Sequence, residues 1–269
     1  MDFYPGVGWN AGFTLQSAQL ERAIGQVDRR AISVHGGRTS ESLQWQSKLE
    51  YRKDSGLEQR EQWVTTNWLS WKASESWRWA ARFNYSDTQD ALVATAGAKF
   101  AEGNVGFAWR PWNSTKYALF GKYTYLYDVS SLPQIGDNVA MYDQRSRVLS
   151  LEGVFHPSHN WEYAAKLARR EGEVRMGRLA GQWLDSAASF AAVQARYGIG
   201  NSEWNLLGEY RWLKVDQGGL RQGALFGIDR DITKNFRIGV GYNFTDFSDN
   251  LTHFDYDQRG WFLNVVGRY

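Results

Sequence analysis

Phe236-Arg237-Ile238-Gly239-Val240-Gly241-Tyr242-Asn243-Phe244-Thr245 sorts its residues onto two faces. Phe236, Ile238, Val240, Tyr242 and Phe244 are apolar, while Arg237, Gly239, Gly241, Asn243 and Thr245 are polar or small. A strict period of two held over about ten residues is a β-strand with one apolar face. Trp77–Ser86 repeats the pattern, with Trp77, Trp79, Ala81, Phe83 and Tyr85 against Arg78, Ala80, Arg82, Asn84 and Ser86. So does Trp204–Leu213, with Trp204, Leu206, Gly208, Tyr210 and Trp212 against Asn205, Leu207, Glu209, Arg211 and Leu213. A helix would scatter Arg78, Arg82, Glu209 and Arg211 among the tryptophans.

Working outward from these strands, a hairpin-scale repeat emerges. A short polar turn precedes an aromatic residue that opens the next strand, as in Ser74-Glu75-Ser76-Trp77, Asn113-Ser114-Thr115-Lys116-Tyr117 and Ser158-His159-Asn160-Trp161. It recurs before Trp204 and Phe236, and Pro111 and Pro157 stand where a strand should stop. Longer Gly/Asp-rich segments lie between these turns, at Ser86–Thr95, Val129–Tyr142, Glu171–Asp185 and Ser248–Asp255. The pattern predicts strands near 43–53, 60–72, 77–86, 98–110, 116–128, 144–156, 161–170, 186–199, 203–215, 219–231, 235–247 and 256–269. A weaker pair near 9–20 and 30–37 raises the count from about 12 to about 14. The polar stretch Glu21–Arg30 reads as loop or helix, and the strand near 60–72 is ambiguous: Trp63, Leu69 and Trp71 share one parity, Val64 and Trp68 the other.

Composition agrees with a wall wetted on one side only. The 269 residues include 14 Trp, 14 Tyr and 14 Phe, yet mean hydropathy is −0.54. With 31 Lys+Arg against 29 Asp+Glu, nothing favours a nucleic-acid partner. The lack of cysteine removes disulfide scaffolds and cysteine metal sites. No apolar run reaches the length of about 18 residues that a membrane helix needs.

Alternation does not say whether the apolar face meets lipid or a protein core. Three features favour lipid. Strands of about 10–14 residues exceed the soluble mode of about 5–6 and suit a tilted membrane crossing. Trp204 and Trp212 bracket Leu206 and Gly208, and Tyr117 and Tyr123 bracket Leu119 and Gly121, in the order of an aromatic girdle. About 14 strands with apolar faces turned inward would leave a hole too wide for side chains to fill. The expected fold is a single transmembrane, antiparallel, up-and-down β-barrel over 1–269, with long loops extracellular.

The last strand supplies a resemblance. Trp261, Leu263, Val265, Gly267 and Tyr269 share one parity, and the sequence given stops on an aromatic residue. This resembles the terminal assembly signal of bacterial outer-membrane proteins, which the barrel-assembly machinery reads. The resemblance implies an integral outer-membrane protein whose partners are membrane lipid and, during biogenesis, that machinery. The final hairpin is also similar to barrels that close many large multidomain surface proteins. Met1-Asp2-Phe3-Tyr4-Pro5 is not a signal peptide. The expectation is a mature form, or the C-terminal barrel of a longer protein with an N-terminal domain or plug outside this sequence.

Opposite the apolar parity lie Lys48, Glu50, Arg52, Arg78, Arg82, Glu102, Arg110, Lys122, Glu152, Glu162, Lys166, Arg170, Arg196, Glu209, Arg211, Arg221, Asp229, Asp231, Arg237 and Arg268. These are expected to line the lumen, because a cation facing lipid at mid-depth costs about 2–4 kcal/mol. Cations outnumber acids, so the set either favours anions or braces the wall through internal pairing. No catalytic, cofactor or metal site is expected. His35, His156, His159 and His253 show no arrangement with Ser and an acid that would make a triad. Asp87, Asp90, Asp137, Asp143, Asp246, Asp249, Asp255 and Asp257 could gather a divalent cation but read more simply as solvated loop residues. Function therefore divides between a charged, water-filled, porin-like channel and a membrane anchor or translocator.

Removing Gly260–Tyr269 should leave the chain unfolded in bilayers, since it deletes the assembly signal and exposes a strand edge. Electrophoretic migration before and after boiling checks this; heat-modifiable migration that survives the deletion would refute it.

Overall fold

A computed structural model describes residues 1–22, 25–92, 98–129, 142–176, 181–200, 202–216, 218–233, 235–247, 251 and 259–267. These form an all-β sheet of 16 strands, with no helix among the described residues. In order they are β1 (Asp2–Phe3), β2 (Trp9–Arg22), β3 (Gly25–Thr39), β4 (Leu43–Gly56), β5 (Arg60–Lys72), β6 (Trp77–Asp90), β7 (Ala98–Trp109) and β8 (Tyr117–Val129). There follow β9 (Tyr142–Ser158), β10 (Trp161–Met176), β11 (Trp183–Asp185), β12 (Ala188–Gly198), β13 (Trp204–Val215), β14 (Gly219–Thr233), β15 (Phe236–Asn243) and β16 (Gly260–Gly267). Each long strand pairs with the next in sequence, and short β11 pairs only with β10. The count of 16 exceeds the expected number of about 14 by two short strands, β1 of 2 residues and β11 of 3.

The chain divides into two compact units. The first comprises Met1–Phe107, Tyr123–Arg147 and Gly172–Asp185; the second comprises Ala108–Lys122, Val148–Glu171 and Ser186–Tyr269. Both show the same inversion of ordinary burial. In β15, Phe236, Ile238 and Val240 are 40 %, 39 % and 46 % exposed, whereas Arg237 and Asn243 are 8 % and 5 % exposed. In β3, Ile32 and Val34 are exposed, while Ser33 is buried and His35 half-buried. A water-soluble sheet would hide its apolar face; these strands present it.

Register sorts the residues without ambiguity. Leu69 and Trp71 of β5 pair with Trp45 and Leu43 of β4, and with Ala81 and Trp79 of β6, all on the apolar face. Trp68 and Val64 therefore lie on the polar face, Trp68 opposite Gln46 and Arg82 and Val64 opposite Glu50 and Ser86. Asn67 is a polar intruder on the apolar face. Its carbonyl oxygen accepts from Ser47 Oγ at 2.6 Å, and its amide donates to Thr65 Oγ1 at 3.0 Å and to the Phe83 carbonyl at 3.1 Å. Those bonds offset the cost of holding an amide away from water.

Aromatic residues mark both ends of the apolar face. Near the short turns, Trp9 meets Trp45 edge-on at 6.4 Å, and Trp77 and Trp79 stack and both touch Phe107. In the second unit Tyr117 stacks on Phe155, and Trp161 on Tyr163. Near the opposite strand ends lie Tyr51 with Trp63 and Tyr210 with Trp212. This ordering suits rings that are apolar in body and polar at one edge, at a membrane–water boundary.

Hydroxyls explain why the short turns carry Ser and Thr. Ser74 Oγ accepts from the backbone N–H of Ser76 and Trp77, each at 3.2 Å; Ser114 accepts from Lys116, Ser202 from Trp204 and Thr233 from Asn235. Each bond satisfies an amide where the ladder begins. In the turn at Glu75, hydrogen bonding to Lys72 holds the carboxyl below its usual range.

Two expectations need correction. Glu21–Arg30 is neither an irregular loop nor a helix: β2 and β3 run through it in register as far as Arg22 opposite Gly25, with residues 23–24 outside the described set. The segments near 86–95 and 171–185 also begin as strand, β6 reaching Asp90 and β10 reaching Met176, where β11 pairs with it. Residues 130–141, Asp137, Asp249, His253, Asp255, Asp257, Arg268 and Tyr269 lie outside the described residues.

Ala81→Arg, on the apolar face opposite Leu69, is expected to destabilise the membrane-folded state by about 2–4 kcal/mol. Ala80→Arg, one residue away on the polar face, should be tolerated. Urea titrations in phospholipid vesicles check the difference; equal effects would reverse or abolish the assignment of faces.

Candidate functional site

The polar face gathers the charged residues singled out above. In the first unit, β4 contributes Lys48, Glu50 and Arg52, β6 contributes Arg78 and Arg82, and β7 contributes Glu102. Ladder pairing puts Glu50 opposite Ser33 and Val64, Arg52 opposite Ala31 and Gln62, and Arg82 opposite Trp68. Lys48 Nζ reaches Glu50 at 2.8 Å, and Glu102 accepts from Asn104 at 3.1 Å. Arg52, Arg78 and Arg82 form no ion pair among the described residues. Here the face holds a recess of about 890 Å³, whose lining includes His35, Gln46, Lys48, Trp68, Arg82 and Asn84.

In the second unit the charges interlock. Asp229, with a side chain only 5 % exposed, lies 3.6 Å from Arg196 and 3.3 Å from Arg237. Arg237 also donates to Asp231 at 2.8 Å, and Asn205 bridges Asp229 and Asp231 at 2.9 and 3.2 Å. These residues come from β12, β13, β14 and β15, so one network ties four consecutive strands. Farther along β13, Arg211 pairs with Glu209, which accepts from Gln194 of β12 at 2.9 Å. Glu152, Lys166, Gln194, Glu209 and Arg211 border a recess of about 120 Å³. Glu162 takes His156 at 2.9 Å, and Arg170 donates to Ser186 at 3.0 Å. Arg221 occupies the polar face opposite Leu213 but is exposed, as are Lys122 in β8 and Arg110 just beyond β7.

Reading single strands misses some members of this set. Arg29 grips Asp54 through two hydrogen bonds, at 2.8 and 2.9 Å, on the same face as Arg52. Parity along β4 identifies Asp54, but its partner becomes visible only once β3 is placed beside it. His35 lies 3.2 Å from Asp2, which β1 places against β2. Trp68 is the one large aromatic of β5 on the polar face.

Three of the acids considered for a cation site, Asp87, Asp90 and Asp143, have other partners. Asp87 accepts from Tyr85 at 3.0 Å and lies 3.2 Å from Lys99. Asp90 takes Arg60 at 2.9 Å, and Asp143 takes Arg175 at 2.8 Å. No cluster of three metal-ligating side chains occurs among the described residues.

No family model and no curated sequence matches this chain. Solved structures do. The siderophore receptor PirA from Pseudomonas aeruginosa superposes with a TM-score of 0.58 at 12 % identity, covering 90 % of this chain and 44 % of that one. PirA from Acinetobacter baumannii gives 0.58 at 11 % identity, covering 87 % and 43 %. The toluene transporter TodX of Pseudomonas putida overlays at 0.41 with 11 % identity, covering 87 % and 81 %. The chain thus spans less than half the length of the siderophore receptors. Its fold class, shared with these receptors, is the transmembrane, antiparallel, up-and-down β-barrel.

Asp229→Ala would strand Arg196 and leave Arg237 with Asp231 alone, so it should cost about 3 kcal/mol. Glu61→Ala, breaking the exposed 2.6 Å pair with Lys53, should leave stability unchanged. Urea midpoints of the refolded variants check the contrast; equal midpoints would mean that the interlocked network does not hold the strands together.

Proposed function

We propose that this chain forms a charged, water-filled passage across the outer membrane, with the polar face as its lining and a modest preference for anions. One observation carries the reading: the strands expose their apolar side chains while turning arginines and carboxylates to the opposite face. Such a face calls for water or a polar solute rather than hydrocarbon.

The charge pattern refines the selectivity. In the second unit Arg196, Arg211 and Arg237 are neutralised by Asp229, Glu209 and Asp231, so their fields largely cancel. The anion preference then rests on Arg52, Arg78 and Arg82 in the first unit, assisted by exposed Lys122 and Arg221. A cationic lining lowers the entry barrier for anions and raises it for cations.

The second reading is a membrane anchor or translocator. It is favoured by the match to less than half the length of longer receptors.

Planar-bilayer recording under a salt gradient tests the passage. The expected result is a stable conductance with a reversal potential on the anion side. That bias should shrink as salt rises, because screening shortens from about 10 Å at 0.1 M to about 3 Å at 1 M. Arg78→Gln with Arg82→Gln should move the reversal toward zero without closing the passage. Inserted protein that conducts nothing would overturn the channel and leave the anchor.

A further inference from the structure

The apolar face of the second unit is not uniform. Along β12 its outward positions Ser189 and Ala191 are small, while the flanking strands are not. Register sets Leu167 of β10, Ala191 of β12 and Trp212 of β13 in one row. The row nearer the membrane centre is Ala165, Val193 and Tyr210, where exposed Val193 ends the depression. The row nearer the loops is Arg169, Ser189 and Lys214. The result is a trough of about 430 Å³, widened by Leu149 and Leu151 on one side and Leu220 on the other. Neighbouring strands lie about 4.8 Å apart, so the walls over β10 and β13 stand about 10 Å apart. That leaves room for one hydrocarbon chain lying along β12.

The polar end of the trough has a definite order. Arg169 donates to Ser189 Oγ at 2.8 Å and lies 3.4 Å from Asp216. Glu171 is 4.0 Å away. Both carboxylates sit two positions beyond a cation along its own strand, farther from the hydrocarbon, so the first charges met on leaving the apolar band are positive. Lys214 is exposed and forms no ion pair among the described residues. The Ser189 hydroxyl, already an acceptor from Arg169, retains its own proton to donate. From Trp204 to Trp212 the strand rises about 27 Å before tilt, close to the height of the apolar band, which puts Lys214 at headgroup level.

We propose that this trough binds one phosphate-bearing membrane lipid, with an acyl chain over Ala191 between Leu167 and Trp212 and its phosphate between Arg169 and Lys214. Guanidinium, ammonium and hydroxyl donors converge where the lipid carries its anion, and the chain fills a depression that bulk lipid would fill less regularly. The proposal rests on the membrane reading of the apolar face and is independent of whether the barrel conducts.

The test uses the full chain refolded into phosphatidylcholine vesicles doped with spin-labelled phosphatidylglycerol or spin-labelled phosphatidylcholine. Electron paramagnetic resonance reads the motionally restricted fraction, and heat-modifiable migration on the same samples reads insertion. The expected result is a several-fold excess of restricted phosphatidylglycerol. Arg169→Gln with Lys214→Gln should bring that excess close to unity, because each cation near the surface favours an anionic headgroup by up to about five-fold. Ala191→Trp, filling the trough, should abolish it while Ala165→Trp leaves it intact. Equal restriction of both lipids by inserted wild-type protein would overturn the site, as would an excess that survives the double substitution. Loss of the excess through pairing of two copies, seen as a dimer by crosslinking in the vesicles, would also overturn it. Failure to insert would instead count against the membrane reading.

Discussion

Hydrocarbon offers no hydrogen bonds, and this constraint governs the protein. A backbone amide left unpaired in lipid costs several kcal/mol, so every crossing segment must find its partner in a neighbouring segment. The chain meets the demand with the simplest available route, in which each long strand pairs with the next in sequence. Pairing fixes register, and register fixes which side chains face lipid. A slip of one residue would exchange Phe236, Ile238 and Val240 for Arg237 and Asn243 on the lipid side, so the fold has little freedom to drift.

The polar face follows from the same register. Asp229, Arg196 and Arg237 meet only because β12, β13, β14 and β15 are laid side by side in one alignment. The network in turn pins that alignment, since a slipped strand would leave a half-buried charge without its partner. Phe262 illustrates a different economy: its ring lies over Gly241, where a Cβ would collide with it, so an aromatic side chain and a glycine share one place in the β15–β16 pair.

How much of this was legible in sequence depends on where a residue sits. β15, β13 and β6 could be read directly because their apolar faces contact a uniform solvent, lipid, which tolerates few exceptions. β5 could not, because Trp68 faces the polar recess and Asn67 the apolar side, where Ser47 and the Phe83 carbonyl of neighbouring strands satisfy its amide. Glu21–Arg30 was misread for the opposite reason: strand that is polar on both faces carries no period to detect. The charged residues were visible as a set but not as pairs. Arg237 and Asp229 are joined across a ladder that no local pattern encodes, and Arg29 with Asp54 was missed altogether. The trough along β12 is a property of three aligned strands; Ser189 and Ala191 are unremarkable until Leu167 and Trp212 are set beside them.

A sheet in which each long strand pairs with the next in sequence lends itself to growth by duplication. Copying one hairpin, turn and hydroxyl cap included, adds two strands whose ladder bonds are all to each other or to the pair that already met at the insertion point. The apolar and polar faces of the copy agree automatically with those of the original, because parity is carried within each strand. Strand number in such a sheet can therefore change by twos while register and the assignment of faces are kept. Gene duplication acting on segments of some thirty residues, roughly the repeat from the start of β12 to the start of β14, is enough to vary the breadth of the wall while its chemistry stays the same.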